Sequence, residues 1–233
     1  MSPVRWGIGD FCWIYFGGLV ASFFGAAVGA AINGPYPEDS TPTAIYVGSF
    51  VGMYSAYTFG IWFVSKHKGR GSPALDFGVR AKLQYWWALP AGAALQIALG
   101  AFVYPLIWLA DNEKQDIVDQ LNDASGAKRA VLIVAAGLLA PIFEEILFRG
   151  LLLRALRRRL PVEPAIAIQA VIFAFAHPLG DPSLGTLAIV PALFALGVIS
   201  GIAAVRIGDL SVSIPLHMGF NLLTLIALVA LIH

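Results

Sequence analysis

Residues 141–149 read Pro141-Ile142-Phe143-Glu144-Glu145-Ile146-Leu147-Phe148-Arg149. Two adjacent carboxylates and a guanidinium stand inside a segment that is otherwise apolar from about Arg129 to Leu153. An ionisable group in a lipid-spanning helix costs from about 3 kcal/mol on insertion scales to more than about 10 in simulations. Three such groups in six positions imply that the chain uses them. On a helix, residues four apart share a face, so Glu145 and Arg149 can pair in a low dielectric. Glu144 is turned from Glu145 by about 100°. One carboxylate therefore has a built-in counter-ion and the other is left free, which suits general-base work on water. The plain structural alternative is an ion pair that only ties two helices together.

The composition gives this segment its setting. Hydrophobic residues make up 58% of the 233 and charged residues only 12%, against about 25% charged in a soluble domain. Mean hydropathy is +0.77. These values describe a polytopic membrane protein. Because a spanning segment must satisfy its own backbone, the fold class is all-α, a membrane helical bundle. The net charge of +1 gives no case for nucleic acid as a partner. Cys12 is the single cysteine, which excludes an intramolecular disulfide and a thiolate metal cluster. Metal ligands would have to come from carboxylates and from His67, His177, His217 and His233.

Apolar stretches fall at about 11–32, 43–64, 84–109, 129–153, 164–178, 184–205 and 211–232. They predict about seven transmembrane helices in one membrane domain over 1–233, with N-terminal helices in 1–110 and a motif-bearing core in 129–233. The first stretch is longer than the 7–15 apolar residues of a secretory signal, so it reads as a retained span. The fifth, at about 15 residues and 22 Å, is too short to cross comfortably alone. A tilt, a thinned bilayer or a non-helical turn at 178–185 would accommodate it. Lys66, Lys68, Arg70, Arg80 and Lys82 in one connection, and Arg154, Arg157, Arg158 and Arg159 in another, place both in the cytoplasm, with the N-terminus. The loop between them is acidic, with Asp111, Glu113, Asp116, Asp119 and Asp123, and a short surface helix is expected at 116–122. The pairs Gly25/Gly29, Gly48/Gly52 and Gly197/Gly201 predict close helix packing within one subunit. Trp86, Trp87, Tyr104 and Trp108 read as interfacial anchors. His67 and His233 read as solvated.

The other two histidines lie in apolar helices. His177 ends Phe-Ala-Phe-Ala-His with Phe173 on the same face, and His217 opens His-Met-Gly-Phe-Asn with Asn221 on the same face. A lone core histidine would need no function. Three polar clusters on three helices are another matter, because they can solvate one another around a single wet cavity. Glu144 and His217 each fall about 10–14 Å inside the membrane, and His177 deeper, at about 20 Å. Glu144, His177 and His217 could hold one hydrolytic zinc with an open water position. Alternatively, Glu144 and one histidine activate water directly, while the other histidine and Asn221 stabilise the oxyanion. Both routes hydrolyse an amide or ester. The one-helix His-Glu-x-x-His zinc signature is absent.

Taken in order, Glu144-Glu145-x-x-x-Arg149, Phe173-x-x-x-His177 and His217-x-x-x-Asn221 resemble the CAAX protease and bacteriocin-processing (CPBP, or Abi) family of intramembrane proteases. The stretch from Phe194 to Asp209 is similar in style to the segment before that family's last motif, and Leu75 to Arg80 is a weaker echo. The resemblance covers about 129–232. It implies an intramembrane peptidase in a lipid bilayer, most simply a bacterial cytoplasmic (inner) membrane, acting on a membrane-associated or lipidated protein or peptide. It implies Glu144 as water-activating base, His177 and His217 as metal ligands or direct catalytic groups, and Asn221 as oxyanion support. Glu145, Arg149 and Phe173 would support the site. Two other readings are a non-catalytic immunity or binding protein and, with less support, a proton-coupled transporter. The missing internal repeats argue against a transporter.

Overall fold

A computed structural model describes residues 4–37, 41–109, 124, 126–178 and 183–231. The acidic residues 111–123, the helix expected at 116–122, His233 and residues 179–182 lie outside the described residues. Helices follow the apolar stretches: α1 Ile8–Asn33, α2 Thr43–Lys68, the short α3 Pro73–Phe77, α4 Ala88–Leu109, α5 Gly126–Leu156, α6 Val162–Ala176, α7 Leu184–Ile207 and α8 Ser213–Leu231. Among the described residues, six helices are long and apolar enough to cross a membrane, and α6 is a shorter apolar helix of 15 residues. The bundle is thus the expected all-helical one, with the fifth element the short one.

Two helix pairs meet at backbone distance. Gly25 of α1 lies against the Gly48 carbonyl of α2, and Gly48 against the Gly25 carbonyl, so a side chain at either would strike the other helix. Gly92 of α4 and Gly219 of α8 face the Leu216 and Leu89 carbonyls in the same way. Small residues let backbones approach where lipid supplies no hydrophobic drive between helices. The glycine pairs of α1 and α2 therefore pack within the subunit.

The basic residues gather at one end. Lys68 pairs with Asp10 at 2.6 Å and Lys82 with Asp209 at 2.7 Å. Arg154 donates to the carbonyls of Asp76 (3.1 Å) and Gly208 (3.0 Å), and Arg158 donates to that of Trp6. The Asp76 carboxylate accepts from Ser65 Oγ and the Arg70 N–H. Phe77, fully buried, packs on Gly150 of α5. The Leu75–Arg80 stretch is thus the clasp that ties the ends of α2, α5 and α7 together.

α5 departs from regular helix. Over Ala135–Leu139 and again over Glu145–Leu153 its turns are π-helical, with i→i+5 spacing. Such wide turns recur at functional sites. Carbonyls in the first of them take side-chain donors from neighbouring helices: Tyr54 Oη donates to Ala135 O and Asn221 Nδ2 to Ala136 O, both at 2.9 Å.

Candidate active site

The site is built on the second wide stretch of α5. Glu145 and Arg149, both fully buried, stand one turn apart with Arg149 Nη1 2.9 Å from Glu145 Oε1. This is the pair expected from their spacing, although the N–H direction falls outside hydrogen-bond geometry. The guanidinium also lies over the Phe173 ring, 4.2 Å from its centroid, a contact that is favourable in a desolvated setting.

His217, buried on α8, stands between the two adjacent carboxylates. Its Nδ1 lies 3.0 Å from Glu145 Oε1 and its Nε2 lies 3.7 Å from Glu144 Oε2. A carboxylate only accepts, so Nδ1–H donates to Glu145 and Nε2 is left aimed at Glu144. Glu145 therefore fixes the ring's orientation and tautomer. The 3.7 Å gap is too long for a direct hydrogen bond.

Glu144 faces two ways. Its Oε2 is sealed inside without a hydrogen-bond partner, while the side chain as a whole is 26% exposed. The exposed part lines a cavity of about 180 Å³ shared with His177, Tyr15, Tyr54, Tyr57, Phe143 and Phe148. His177, at the end of α6, gives its Nδ1–H to the Phe173 carbonyl at 3.0 Å. Its Nε2 is then the free nitrogen. Phe173, fully buried, touches both imidazoles edge-on, with ring centroids 5.1 Å from His177 and 5.6 Å from His217. The short α6 reaches the level of Glu144 without difficulty. His177 lies 15 residues beyond the start of its helix and Glu144 12 residues before the end of its own, about 22 and 18 Å along the two axes.

Glu144, Glu145, Arg149, Phe173, His177 and His217 are thus one connected group. Asn221 belongs to its edge. It is absent from the cavity lining, and its amide donates to Ala136 O. The three donors named for zinc do not close on a point. Glu144 and His217 approach one another, but among the described residues no three His, Cys, Asp or Glu side chains converge as a metal site requires. The cavity tyrosines Tyr15, Tyr54 and Tyr57 were not singled out from the sequence. The available signal was their place in mid-helix, since tyrosines of membrane helices concentrate at the interfaces.

Residues 126–223 match the model of a family described as Type II CAAX prenyl endopeptidase Rce1-like. The match takes in every motif residue from Glu144 to Asn221 and leaves α1 to α4 outside it. No curated protein and no solved structure matches the chain.

Proposed function

We propose that this chain, whose residues 126–223 match the model of the Type II CAAX prenyl endopeptidase Rce1-like family, is an intramembrane endopeptidase that cleaves a membrane-associated or lipid-bearing polypeptide. The observation that carries the reading is the Glu145–His217–Glu144 array, with His217 3.0 Å from one carboxylate and 3.7 Å from the other. It gives Glu144 a fixed imidazole behind it and a cavity in front of it.

In the reaction, a water in the cavity gives a proton to the Glu144 carboxylate as its oxygen bonds to the scissile carbonyl carbon. The carbonyl electron pair moves onto oxygen. When the tetrahedral species collapses, the C=O bond re-forms, the C–N bond breaks and the leaving nitrogen takes the proton from Glu144. His217 stands behind Glu144, with its Nε2 3.7 Å from Oε2. His177 Nε2, its other nitrogen tied to Phe173, orients the water from the second side. Positioned general-base catalysis of this kind supplies about 100- to 10,000-fold. The basic end, with its arginines and lysines, faces the cytoplasm of what the resemblance makes a bacterial inner membrane. Substrates carrying a lipid on their cytoplasmic face can reach the cavity from there.

The test is cleavage by the purified full-length protein of fluorogenic peptides ending in Cys-aliphatic-aliphatic-X, farnesylated and unmodified, with the protein's bound metal measured on the same preparation. Cleavage of the farnesylated set above the unmodified set is the expected result. Cleavage of neither set, nor of a wider peptide library, would overturn the reading.

A further inference from the structure

The cavity has two unlike walls. Glu144 and His177, from α5 and α6, form the polar part of one. The other, from α1 and α2, is apolar except for three phenols, Tyr15, Tyr54 and Tyr57. A tetrahedral intermediate formed beside Glu144 places a negative oxygen in this space, and a fixed donor aimed at that oxygen is usually the largest single contribution to such catalysis. Asn221, the donor expected from sequence, is not among the cavity residues, and one of its two amide N–H groups is bonded to Ala136 O. Tyr54 is also committed, to Ala135 O. Tyr57 differs from both. Its ring is buried at 4% exposure, and its hydroxyl has no partner among the described residues and is not sealed off. It is therefore a cavity-lining ring held in place, with its hydroxyl donor uncommitted among the described residues.

The seat of Tyr57 is built into α1. A Cβ at Gly18 would collide with three atoms of the Tyr57 ring. Only glycine at position 18 lets the ring lie against the α1 backbone, and Phe143 of α5 closes the other side with its centroid 5.9 Å away.

We propose that Tyr57 is an oxyanion donor of this site, its O–H hydrogen-bonded to the scissile carbonyl oxygen as that oxygen takes up charge. The inference rests on the hydrolase reading above. No proton leaves Tyr57: the bond strengthens as the carbonyl becomes an alkoxide and relaxes when the C–N bond breaks. The catalytic site then spans both halves of the chain, and the segment outside the family match supplies one of its working groups. Gly18 is a positioning residue that acts through Tyr57.

The test uses the full-length protein and the farnesylated fluorogenic peptide. Y57F removes one oxygen atom and keeps the ring. It should lower kcat by about 10- to 100-fold with KM within about 2-fold, the mark of a group that acts in the transition state. A peptide with a phosphinate in place of the scissile bond, which mimics the tetrahedral species, should bind Y57F more weakly by the same factor as the loss in kcat/KM. G18A displaces the ring and should give a similar loss of kcat, and no further loss when combined with Y57F. If Y57F cannot be purified folded, G18A carries the test alone. Wild-type kcat in Y57F, or unchanged phosphinate affinity, overturns the inference while leaving the Glu144 reading intact. A wild-type protein that cleaves no peptide overturns both.

Discussion

His217 donates its Nδ1–H to Glu145 Oε1 at 3.0 Å, so a fully buried carboxylate carries two partners at once, an imidazole and the Arg149 guanidinium at 2.9 Å. Glu145 is the hub that makes one helix face into a site. Its removal leaves the buried Arg149 without its ion-pair partner.

E145A should therefore destabilise the protein by about 3–5 kcal/mol, the usual consequence of breaking a buried pair from one side. Replacing both partners with apolar residues, as in E145L/R149M, should cost clearly less than the sum of the single changes. Thermal unfolding in detergent measures both. Equal and additive losses would show that the pair is not coupled.

The two histidines should separate by phenotype. His177 is half-buried at a helix end and, among the described residues, is bonded to its own helix's carbonyl, while His217 is buried at 1% exposure between two carboxylates. H177A should lose about 100-fold or more in kcat with little change in melting temperature. H217A should lose activity and stability together, since Glu145 then loses one of its two partners. A strongly destabilised H177A would contradict this assignment.

Close packing of α1 on α2 predicts a third outcome. G25V or G48V drives a side chain into the opposing backbone and should cost about 1–3 kcal/mol. Because the contact lies within one subunit, size-exclusion mass in detergent should stay the same while the melting temperature falls. A changed mass without a changed melting temperature would assign these glycines to a contact between copies.

The Lys82–Asp209 pair at the basic end should respond to acid. Burial pushes the Asp209 carboxyl up, but the Lys82 ammonium at 2.7 Å and the hydroxyl and N–H of Ser211 outweigh it and hold the group below its ordinary value of 3.8. A carboxyl lowered on folding contributes stability above its unfolded value and loses that contribution as pH falls through the folded one. The gap in melting temperature between wild type and D209N should be full at pH 6 and close as pH drops below about 4. A gap that persists at low pH would show that the ion pair with Lys82 is not its cause.

Much of this was legible in the chain, and for identifiable reasons. Charged groups in apolar helices are so costly that Glu144, Glu145 and Arg149 stood out at once, His177 and His217 stood out as further polar clusters on separate helices, and i,i+4 spacing alone paired Glu145 with Arg149. Spacing within one helix says nothing about the neighbour, so the bond from His217 to Glu145 could not be read. Nor could the wide turns of α5, because apolar pattern does not distinguish i+4 from i+5 hydrogen bonding. Asn221 was expected on the face of His217, and its amide meets a carbonyl in such a turn. The tyrosine wall was missed because α1 and α2 carry no charged residue in mid-span to draw attention. Only the packing of Gly18 on Tyr57 shows why that wall is where it is.

The most direct measurement is the turnover of purified full-length E144Q against wild type on the farnesylated peptide, with melting temperatures measured on the same samples. Glutamine keeps the shape of the side chain and removes its ability to take a proton from water. The predicted result is a fall in kcat of at least about 100-fold at an unchanged melting temperature. Turnover by a folded E144Q at the wild-type rate would contradict the account.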